Sequence, residues 1–262
     1  RGLVGSEMCI RDSTETELIT DAFNKMLARM KVLDESRSEF VSNVSHELKT
    51  PMTSMKVLAD SLVGQHGVPE DLYQEFMRDI TAEIDRENRI ITDLLTLVKM
   101  DKKNADLQIQ HMSINQLLED ILKRLRPIAD KRNIDLILDS FRPVEADVDE
   151  LKFTSAISNL VENAIKYNVD DGWVRVSLDA DHKFFYVTVA DSGMGIPEDS
   201  LSRIFERFYR VDKSHSREIG GTGLGLAITR STIGMHHGVI KVFSKEGEGT
   251  TFSVRVPLSY IP

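Results

Sequence analysis

The stretch Val41–Ser54, VSNVSHELKTPMTS, decides the fold because it places a His-Glu pair in a helical pattern and a proline shortly after it. Upstream, apolar residues recur at alternating steps of four and three, with Arg37 in the one missing place: Ile19, Phe23, Met26, Met30, Leu33, Phe40 and Val44. This heptad seam predicts a helix that packs against another helix. His46 lies two positions after Val44, roughly 200° around the helix, so we expect its imidazole to point into solvent.

A second helix is predicted after the first. Pro51 is expected to kink or loosen the first helix, because it lacks an N–H and clashes with the preceding turn. The segment Gly64–Pro69 (GQHGVP) predicts a turn, and an apolar stripe between Leu72 and Val98 predicts the second helix. Two such helices form a hairpin that leaves an apolar stripe open, so we expect a homodimer with a four-helix bundle. The alternative is a monomer whose hairpin packs on the rest of its own chain.

Composition excludes several classes of protein. The 262 residues are enough for two domains, and the net charge of -9 argues against sequence-independent nucleic-acid binding. A single cysteine, Cys9, excludes an intramolecular disulfide and a cysteine metal cluster. No apolar run approaches the ~18 residues of a membrane span. We therefore expect no direct membrane contact from these residues, which leaves open that they are the intracellular part of a longer protein.

After the polar segment Asp101–Asp106, strand and helix patterns mix. Ser113–Gln116 (SINQ) reads as a capping box that opens a helix through Ile128, and Asp149–Lys166 predicts another helix. Its expected inward residues are Leu151, Ile157, Leu160, Val161, Ala164 and Ile165. Alternation predicts strands at Ile134–Leu138, Trp173–Leu178, Phe184–Ala190, Val239–Phe243 and Thr250–Val256. The sequence thus predicts an α+β fold: a helical hairpin followed by an α/β sandwich whose mixed, mostly antiparallel sheet is covered by helices on one face.

One helix of this second domain carries a polar row. Asn159, Glu162, Asn163 and Lys166 share a face, while the residues between them are apolar. Amide and carboxylate oxygens suit Mg²⁺, and a lysine meets phosphate as a point charge. The alternative is an ordinary solvated helix face.

Two glycine-containing segments follow. In Asp191–Pro197 (DSGMGIP), glycines permit a tight turn, and a carboxylate at a strand end can accept a hydrogen bond from an exocyclic amine. Alone, this pattern is often just a turn. Gly220–Leu226 (GGTGLGL) opens a helix whose free N–H groups favour phosphate, and so much glycine suits a mobile lid. Its spacing matches neither the dinucleotide-binding fingerprint nor the P-loop.

An aromatic segment lies between those two. Ile204–Arg210 (IFERFYR) places three aromatic residues beside two arginines. We interpret Phe205 and Phe208 mainly as core anchors. The long polar loop around this segment is consistent with a nucleotide lid.

The order of these segments resembles a known family. The segments that begin near His46, Asn159, Asp191, Phe205 and Gly221 resemble the H, N, G1, F and G2 boxes of sensor histidine kinases of two-component systems, from about Thr14 to Pro257. The resemblance implies a signalling helix similar to the end of a HAMP relay over residues 14–37. A dimerisation and histidine phosphotransfer domain over 38–103 would follow, and then an ATP-binding domain over 104–262 with the fold shared by gyrase, HSP90 and MutL. Residues 1–13 are interpreted as a lead outside the fold.

The resemblance also implies roles for single residues. His46 would take the γ-phosphoryl group of ATP, Glu47 would accept the proton of the other ring nitrogen, and Thr50 would orient a hydrolytic water. The implied nucleotide-binding residues are Asn159, Asn163, Lys166, Tyr167, Asp191, Gly193, Gly195, Ile196, Arg210, Gly221, Thr222, Gly223, Leu224, Gly225 and Thr250. Among them, Asn163 would hold Mg²⁺, Lys166 and Tyr167 would meet phosphates, and Asp191 would read the adenine amine.

The implied activity is autophosphorylation from Mg-ATP, followed by transfer to an aspartate of a response regulator and phosphatase activity toward that regulator. The implied setting is the cytoplasmic portion of a homodimeric protein in the bacterial cell membrane. Two alternatives stay open: another ATPase or protein serine kinase of the same fold, and a degenerate scaffold without activity. Asn168–Asp171 departs from the Ser-Pro often found there in the family, and His236–Gly238 departs from His-Gly-Gly. We interpret the other histidines as ordinary surface or structural residues: His66, His111, His182, His215, His236 and His237.

Overall fold

The structure is a computed structural model that describes residues 5–63, 69–100, 107–211 and 221–261, without the side chains of 5–16, 32–33 and 36–37. It divides into two compact units, Arg1–Glu83 and Ile84–Pro262. The predicted turn after Val63, the linker at 101–106 and part of the predicted lid lie outside the described residues.

The two predicted long helices are confirmed. Helix α1 spans Gly5–Val63, runs through Pro51, and includes most of the segment 1–13. Helix α2 spans Glu70–Met100 and crosses the boundary between the two units. Four seam residues of α1 are at least half exposed: Ile19 at 70%, Phe23 at 53%, Met26 at 52% and Met30 at 60%. None of the described helices carries a stretch long and apolar enough to cross a membrane.

The second unit adds four helices among the described residues. Helix α3 spans Ile114–Asp130, and its N-cap Ser113 accepts a hydrogen bond from the Gln116 N–H at 3.4 Å, which confirms the predicted helix start. Helix α4 spans Glu150–Lys166 and begins after the N-cap Asp149. The other two are α5 (Glu198–Leu201) and α6 (Gly225–Met235).

The sheet is mixed and mostly antiparallel, as predicted. Its described strands are β2 (Asp135–Ser140), β4 (Trp173–Ala180), β5 (Phe184–Asp191), β6 (Val239–Lys245) and β7 (Gly249–Pro257). Their spatial order is β2-β4-β5-β7-β6, and β2 pairs with β4 in parallel while the other pairs are antiparallel. Two further strands, β1 (Ile109–Ser113) and β3 (Glu145–Asp149), form a small antiparallel pair that the sequence did not predict.

One core joins the sheet to α3 and α4. Strand β5 alternates, so that Phe185, Val187 and Val189 are fully buried. All but one of the predicted inward residues of α4 are buried. Leu151 is the exception, with 79% of its surface exposed. It lies two positions before the buried Phe153, and that step is roughly 200° around the helix, so the prediction for Leu151 was wrong.

Candidate functional site

The polar row of α4 faces the start of α6. Asn159 donates from Nδ2 to Thr229 Oγ1 of α6 at 3.0 Å. Gly225, the first residue of α6, approaches so closely that a Cβ there would collide with Asn159 Oδ1. This position therefore requires glycine. The contact brings the N-terminus of an 11-residue helix, with its free N–H groups, beside the row.

The glycine-rich loop continues along the row toward the end of α4. A Cβ on Gly221 would lie 3.1 Å from Lys166 Nζ and 3.4 Å from Tyr167 Oη. Gly223 has φ +70°, and the Phe208 N–H donates to its carbonyl oxygen at 2.9 Å. The described part of the loop thus lies between the end of α4 and the turn at Phe208. Residues predicted from separate segments are brought together here.

The turn after β5 also lies at this end of the row. Asp191 is 8% exposed, and its Oδ1 accepts hydrogen bonds from the N–H groups of Gly193 at 2.8 Å and Thr250 at 3.2 Å. Burial raises the pKa of Asp191, while these two donors oppose that shift. A Cβ on Gly193 would collide with the Tyr167 carbonyl oxygen, so this turn packs directly on the residue that follows α4.

The far side of this turn is held by β6 and β7. Ile196 donates its N–H to Ser244 Oγ at 2.8 Å, and Ser244 Oγ lies 2.9 Å from Thr250 Oγ1. Gly195 has φ +69° and lies against the Lys245 carbonyl oxygen. The predicted residues Ile196 and Thr250 therefore belong to one hydrogen-bonded corner, next to Asp191.

The electrostatics at the end of α4 favour an anion. Burial, together with the charges of Arg210, Arg89 and Arg86, lowers the pKa of Lys166 to about 8, while Glu162 opposes this shift. Among the described groups that act on Lys166, cations outnumber acids, and this excess favours a multiply charged anion such as a phosphate chain. The sequence predicted Lys166 and Arg210. It missed Arg86 and Arg89, because a helix pattern does not show which distant element they approach.

The last turns of α2 also contact the glycine-rich loop. Thr222 donates from Oγ1 to Asp93 Oδ2 at 3.0 Å. Leu97 of α2 packs with Leu224 and Ile228 in a small apolar cluster. Burial raises the pKa of Asp93, and the Thr222 hydroxyl opposes this. The only sequence signal for Asp93 was its position as the one charged residue in the apolar run Ile90–Val98.

The proposed phosphoacceptor lies in the first unit. His46 is exposed on α1, as the seam spacing predicts, and Glu47 is partly buried. Thr50, also exposed, donates from Oγ1 to the His46 carbonyl oxygen at 3.1 Å. Helical spacing thus places the His46 and Thr50 side chains one turn apart. In the single chain the seam residues Ile19, Phe23, Met26 and Met30 are exposed too, so exposure alone does not distinguish the two faces of α1.

The aromatic anchors are where the sequence predicted them. Phe205 is partly buried against the main core and meets Phe252 edge-on, with ring centroids 6.4 Å apart. Phe208 packs on the small cluster around Leu97 and has φ +63°.

His236 is a structural histidine. It is 1% exposed, accepts from the Asp149 N–H at Nε2 at 3.0 Å, and lies with Nδ1 2.8 Å from the Thr232 carbonyl oxygen. Burial lowers the pKa of His236. His111 is exposed instead, and its pKa is raised by Asp147 and then by Glu145. His66 and His215 lie outside the described residues.

The polar row of α4 suits a metal ion that also binds a phosphate ligand. Among the described residues, no three His, Cys, Asp or Glu side chains are grouped to hold a metal ion. Mg²⁺ takes oxygen ligands, keeps waters and binds through substrate phosphates. The amide oxygens of Asn159 and Asn163, next to the cationic end of α4, suit that mode of binding.

Two family profiles match the chain. The one described as "Histidine kinase-, DNA gyrase B-, and HSP90-like ATPase" matches residues 148–260. The one described as "His Kinase A (phospho-acceptor) domain" matches residues 36–103. The two matches cover the α4–β7 region and the helical hairpin, respectively.

Two curated relatives are similar over 86% of this chain. Sensor histidine kinase WalK of Bacillus subtilis is 35% identical over 228 residues, and sensor-like histidine kinase SenX3 of Mycolicibacterium smegmatis is 35% identical over 225 residues. The chain spans 37% of the length of the first and 58% of the second.

Solved structures agree with the fold. The catalytic domain of histidine kinase ThkA is 28% identical and aligns with a TM-score of 0.51, over 58% of this chain and 99% of that one. A complex of ThkA with response regulator protein TrrA contains a chain that aligns with a TM-score of 0.70 at 24% identity, over 84% of this chain and 61% of that one. At that identity the second likeness shows the fold alone.

Proposed function

The chain belongs to the sensor histidine kinases of two-component systems, and we propose that it binds Mg-ATP in the second unit and phosphorylates His46. The observation that carries this proposal is the convergence at the end of α4. There the N-terminus of α6, the glycine-rich loop and a group of cations meet the turn that holds the buried Asp191.

Each residue of that site has a proposed role. Lys166, Tyr167 and Arg210 meet the phosphates, and the Gly225 N–H adds the helix N-terminus. Leu224, whose own N–H donates to Thr222 Oγ1 at 3.2 Å, precedes it at the pocket. Asn163 supplies an amide oxygen to Mg²⁺, which offsets the charge on the phosphates when bound. Asp191 accepts a hydrogen bond from the adenine amine and Thr250 lies beside the base. Other proposed contacts and glycine positions that shape the pocket are Asn159, Gly193, Gly195, Ile196, Gly221, Thr222 and Gly223.

The proposed reaction is a phosphoryl transfer to nitrogen. A ring nitrogen of His46 attacks the γ-phosphorus, the bond from that phosphorus to the β–γ bridging oxygen breaks, and ADP leaves. Glu47 accepts the proton from the other ring nitrogen, so the imidazole is a better nucleophile. The phosphoramidate then passes its phosphoryl group to an aspartate of a response-regulator receiver domain, and the N–P bond breaks as the acyl phosphate forms.

We further propose a homodimer in which the exposed seam of α1 packs in a four-helix bundle. Thr50 would orient a water for dephosphorylation of the regulator. Because the chain spans only part of its sensor-kinase relatives, we propose that it is the cytoplasmic portion of a longer bacterial membrane protein.

Labelling tests the activity. Incubation with γ-labelled ATP and Mg²⁺ should give label that is lost in acid and kept in base, and His46→Gln should abolish it. His182→Gln, which changes another exposed histidine, should label like the wild type. Equal labelling of His46→Gln would refute the phosphoacceptor assignment, and ATP binding without any label would favour the scaffold alternative.

The metal role has its own test. Asn163→Ala should weaken Mg-ATP binding and labelling together, because an amide oxygen is lost from the proposed coordination. Unchanged affinity and labelling would remove Asn163 from the metal site.

A further inference from the structure

Arg132 contacts the end of α4, although it lies outside every segment discussed above. It is in the turn between α3 and β2, and its guanidinium reaches three backbone carbonyls. Nη1 donates to the carbonyl oxygens of Ile165 at 2.9 Å and Lys166 at 3.0 Å, and Nη2 donates to that of Asn168 at 2.8 Å.

Two of these carbonyls belong to the last residues of α4, and that of Ile165 also accepts from the Asn168 N–H at 3.4 Å. The last carbonyl groups of a helix have no intrahelical donor and carry the negative end of the helix dipole. The planar guanidinium of Arg132 presents several donors in a fixed geometry, so one side chain bonds the carbonyls of Ile165 and Lys166, the last two residues of α4, and that of Asn168. Its Nε also pairs with Asp170 Oδ1 at 3.0 Å, but the Asp170 side chain is 75% exposed, and exposed ion pairs contribute little. The contacts with the carbonyls are therefore the important ones.

The backbone that Arg132 holds is the support of the nucleotide site. Lys166 carries the ammonium group at the phosphate end, and Tyr167 follows it directly. The Tyr167 carbonyl oxygen accepts from the Met194 N–H at 3.1 Å, so the turn after Asp191 rests on the same residue. The backbone N–H of Asp171 donates to the Arg132 carbonyl at 3.2 Å, which ties the two turns together.

We propose that Arg132 is a positioning residue for the phosphate end of the nucleotide: it fixes the backbone that carries Lys166 and Tyr167. This rests on the proposed function. The base end has additional support that does not involve this backbone, since Asp191 and Thr250 are joined across β5 and β7. Loss of Arg132 should therefore weaken binding of the phosphates more than binding of the base.

Calorimetric titration of the full chain with ATP, ADP and adenosine in the presence of Mg²⁺ separates the two ends. For Arg132→Gln we expect roughly tenfold weaker binding of ATP and ADP, the equivalent of losing one hydrogen bond to a charged group, and adenosine binding within about twofold of wild type. Arg132→Lys keeps the charge without the planar fork, so it should be intermediate. Asp170→Asn should resemble the wild type.

The single tryptophan gives a structural readout at the same place. The carbonyl oxygen of Trp173 accepts from Asn168 Nδ2 at 3.0 Å and from the Ser192 N–H at 3.2 Å, so a displacement of the turn that Arg132 holds should move the Trp173 backbone and change the indole emission. Arg132→Gln should shift this emission. The matched control is Arg142→Gln, which removes another exposed arginine paired with an aspartate, Asp179, at 2.8 Å. It should change neither the emission nor the ATP affinity.

Wild-type ATP affinity in Arg132→Gln, or an equal loss of ATP and adenosine binding, would overturn the proposal, because a general loss of fold weakens all ligands alike. If Arg132→Gln does not fold at the assay temperature, the ratio of ATP to adenosine affinity in Arg132→Lys decides between the same outcomes. Failure of the wild type to bind ATP would instead refute the proposed function.

Discussion

Helices α1 and α4 both carry residues with proposed catalytic roles, but different contacts stabilise them. Helix α4 is short and buries Phe153, Ile157 and Leu160 in the core of its own unit. Helix α1 is 59 residues long, and its seam residues from Ile19 to Met30 remain at least half exposed. Since most helical stability in proteins comes from packing an apolar face, the geometry of α4 is set within the chain, whereas α1 has an apolar face for a second chain to cover.

The largest expected effect is in the core of α4. Phe153→Ala should lower the free energy of unfolding of the second unit by about 3–5 kcal/mol, because it removes a buried aromatic ring. That ring packs edge-on against Phe185, with centroids 5.6 Å apart, and against His236 at 5.9 Å. Urea unfolding followed by circular dichroism measures the change. Leu151→Ala on the same helix is the control, since Leu151 is 79% exposed and should change stability by less than about 0.5 kcal/mol. Equal effects would contradict the assigned core face.

The next effect concerns the open seam of α1. Phe23→Glu should raise the dissociation constant of the homodimer by about 10- to 100-fold, because truncating or charging a buried interface anchor costs on the order of 1–3 kcal/mol. Sedimentation equilibrium measures the constant. Asn24→Glu adds the same charge at an exposed position one residue off the seam and should have little effect. A wild-type chain that stays monomeric, or two variants that dissociate alike, would contradict the proposal that the seam of α1 is the dimer interface.

Sequence patterns predicted the long helices and the main sheet better than the contacts between distant parts of the chain. Periodicity and the cap at Ser113 predicted the helices and the five-stranded sheet, because those signals are local. They missed β1 and β3, which are only five residues long and place few apolar residues, such as Ala146 and Val148 of β3, in the core. The motif order predicted the residues gathered at the end of α4. It could not reveal Arg132, since its contacts with α4 span more than thirty residues of chain and no residue type at that position signals them.

The charge at the end of α4 gives a pH-dependent prediction. In the free protein Lys166 has a pKa of about 8, lowered mainly by burial, and the phosphates of ATP favour its charged form. Binding should therefore take up a proton between about pH 8 and 9, and the affinity should fall as the pH rises through that range. Calorimetry in buffers with different ionisation enthalpies measures the uptake. Lys166→Gln should abolish it, and Lys123→Gln, at an exposed position on α3, should not.

Lys166 also makes the free energy of unfolding depend on pH, in the direction opposite to that of a lysine whose pKa is raised by an ion pair. Between about 8 and the unfolded value of 10.5, the unfolded chain binds more protons than the folded chain. The free energy of unfolding should therefore rise with pH in this window, as the buried charge is neutralised. If proton uptake on ATP binding persists in Lys166→Gln, the group that takes up the proton is not Lys166.

The smallest expected effect concerns the last turns of α2. It tests whether contacts within the chain stabilise these turns, as they stabilise α4, or whether the turns lack such contacts, as the seam of α1 does. Thr222→Val removes the donor to Asp93 Oδ2 and leaves a partly buried carboxylate short of one hydrogen bond, a loss of about 1 kcal/mol. Amide exchange of residues 94–100, followed by mass spectrometry, should quicken by roughly fivefold. Thr96→Val removes a hydroxyl that donates to the Thr92 carbonyl, at 2.8 Å, and should leave exchange nearly unchanged. In an Asp93→Asn background the effect of Thr222→Val should shrink, because no charge is left without its donor. If both valine variants exchange like the wild type, the Asp93–Thr222 hydrogen bond does not hold α2, and the apolar contact of Leu97 with Leu224 and Ile228 holds it alone.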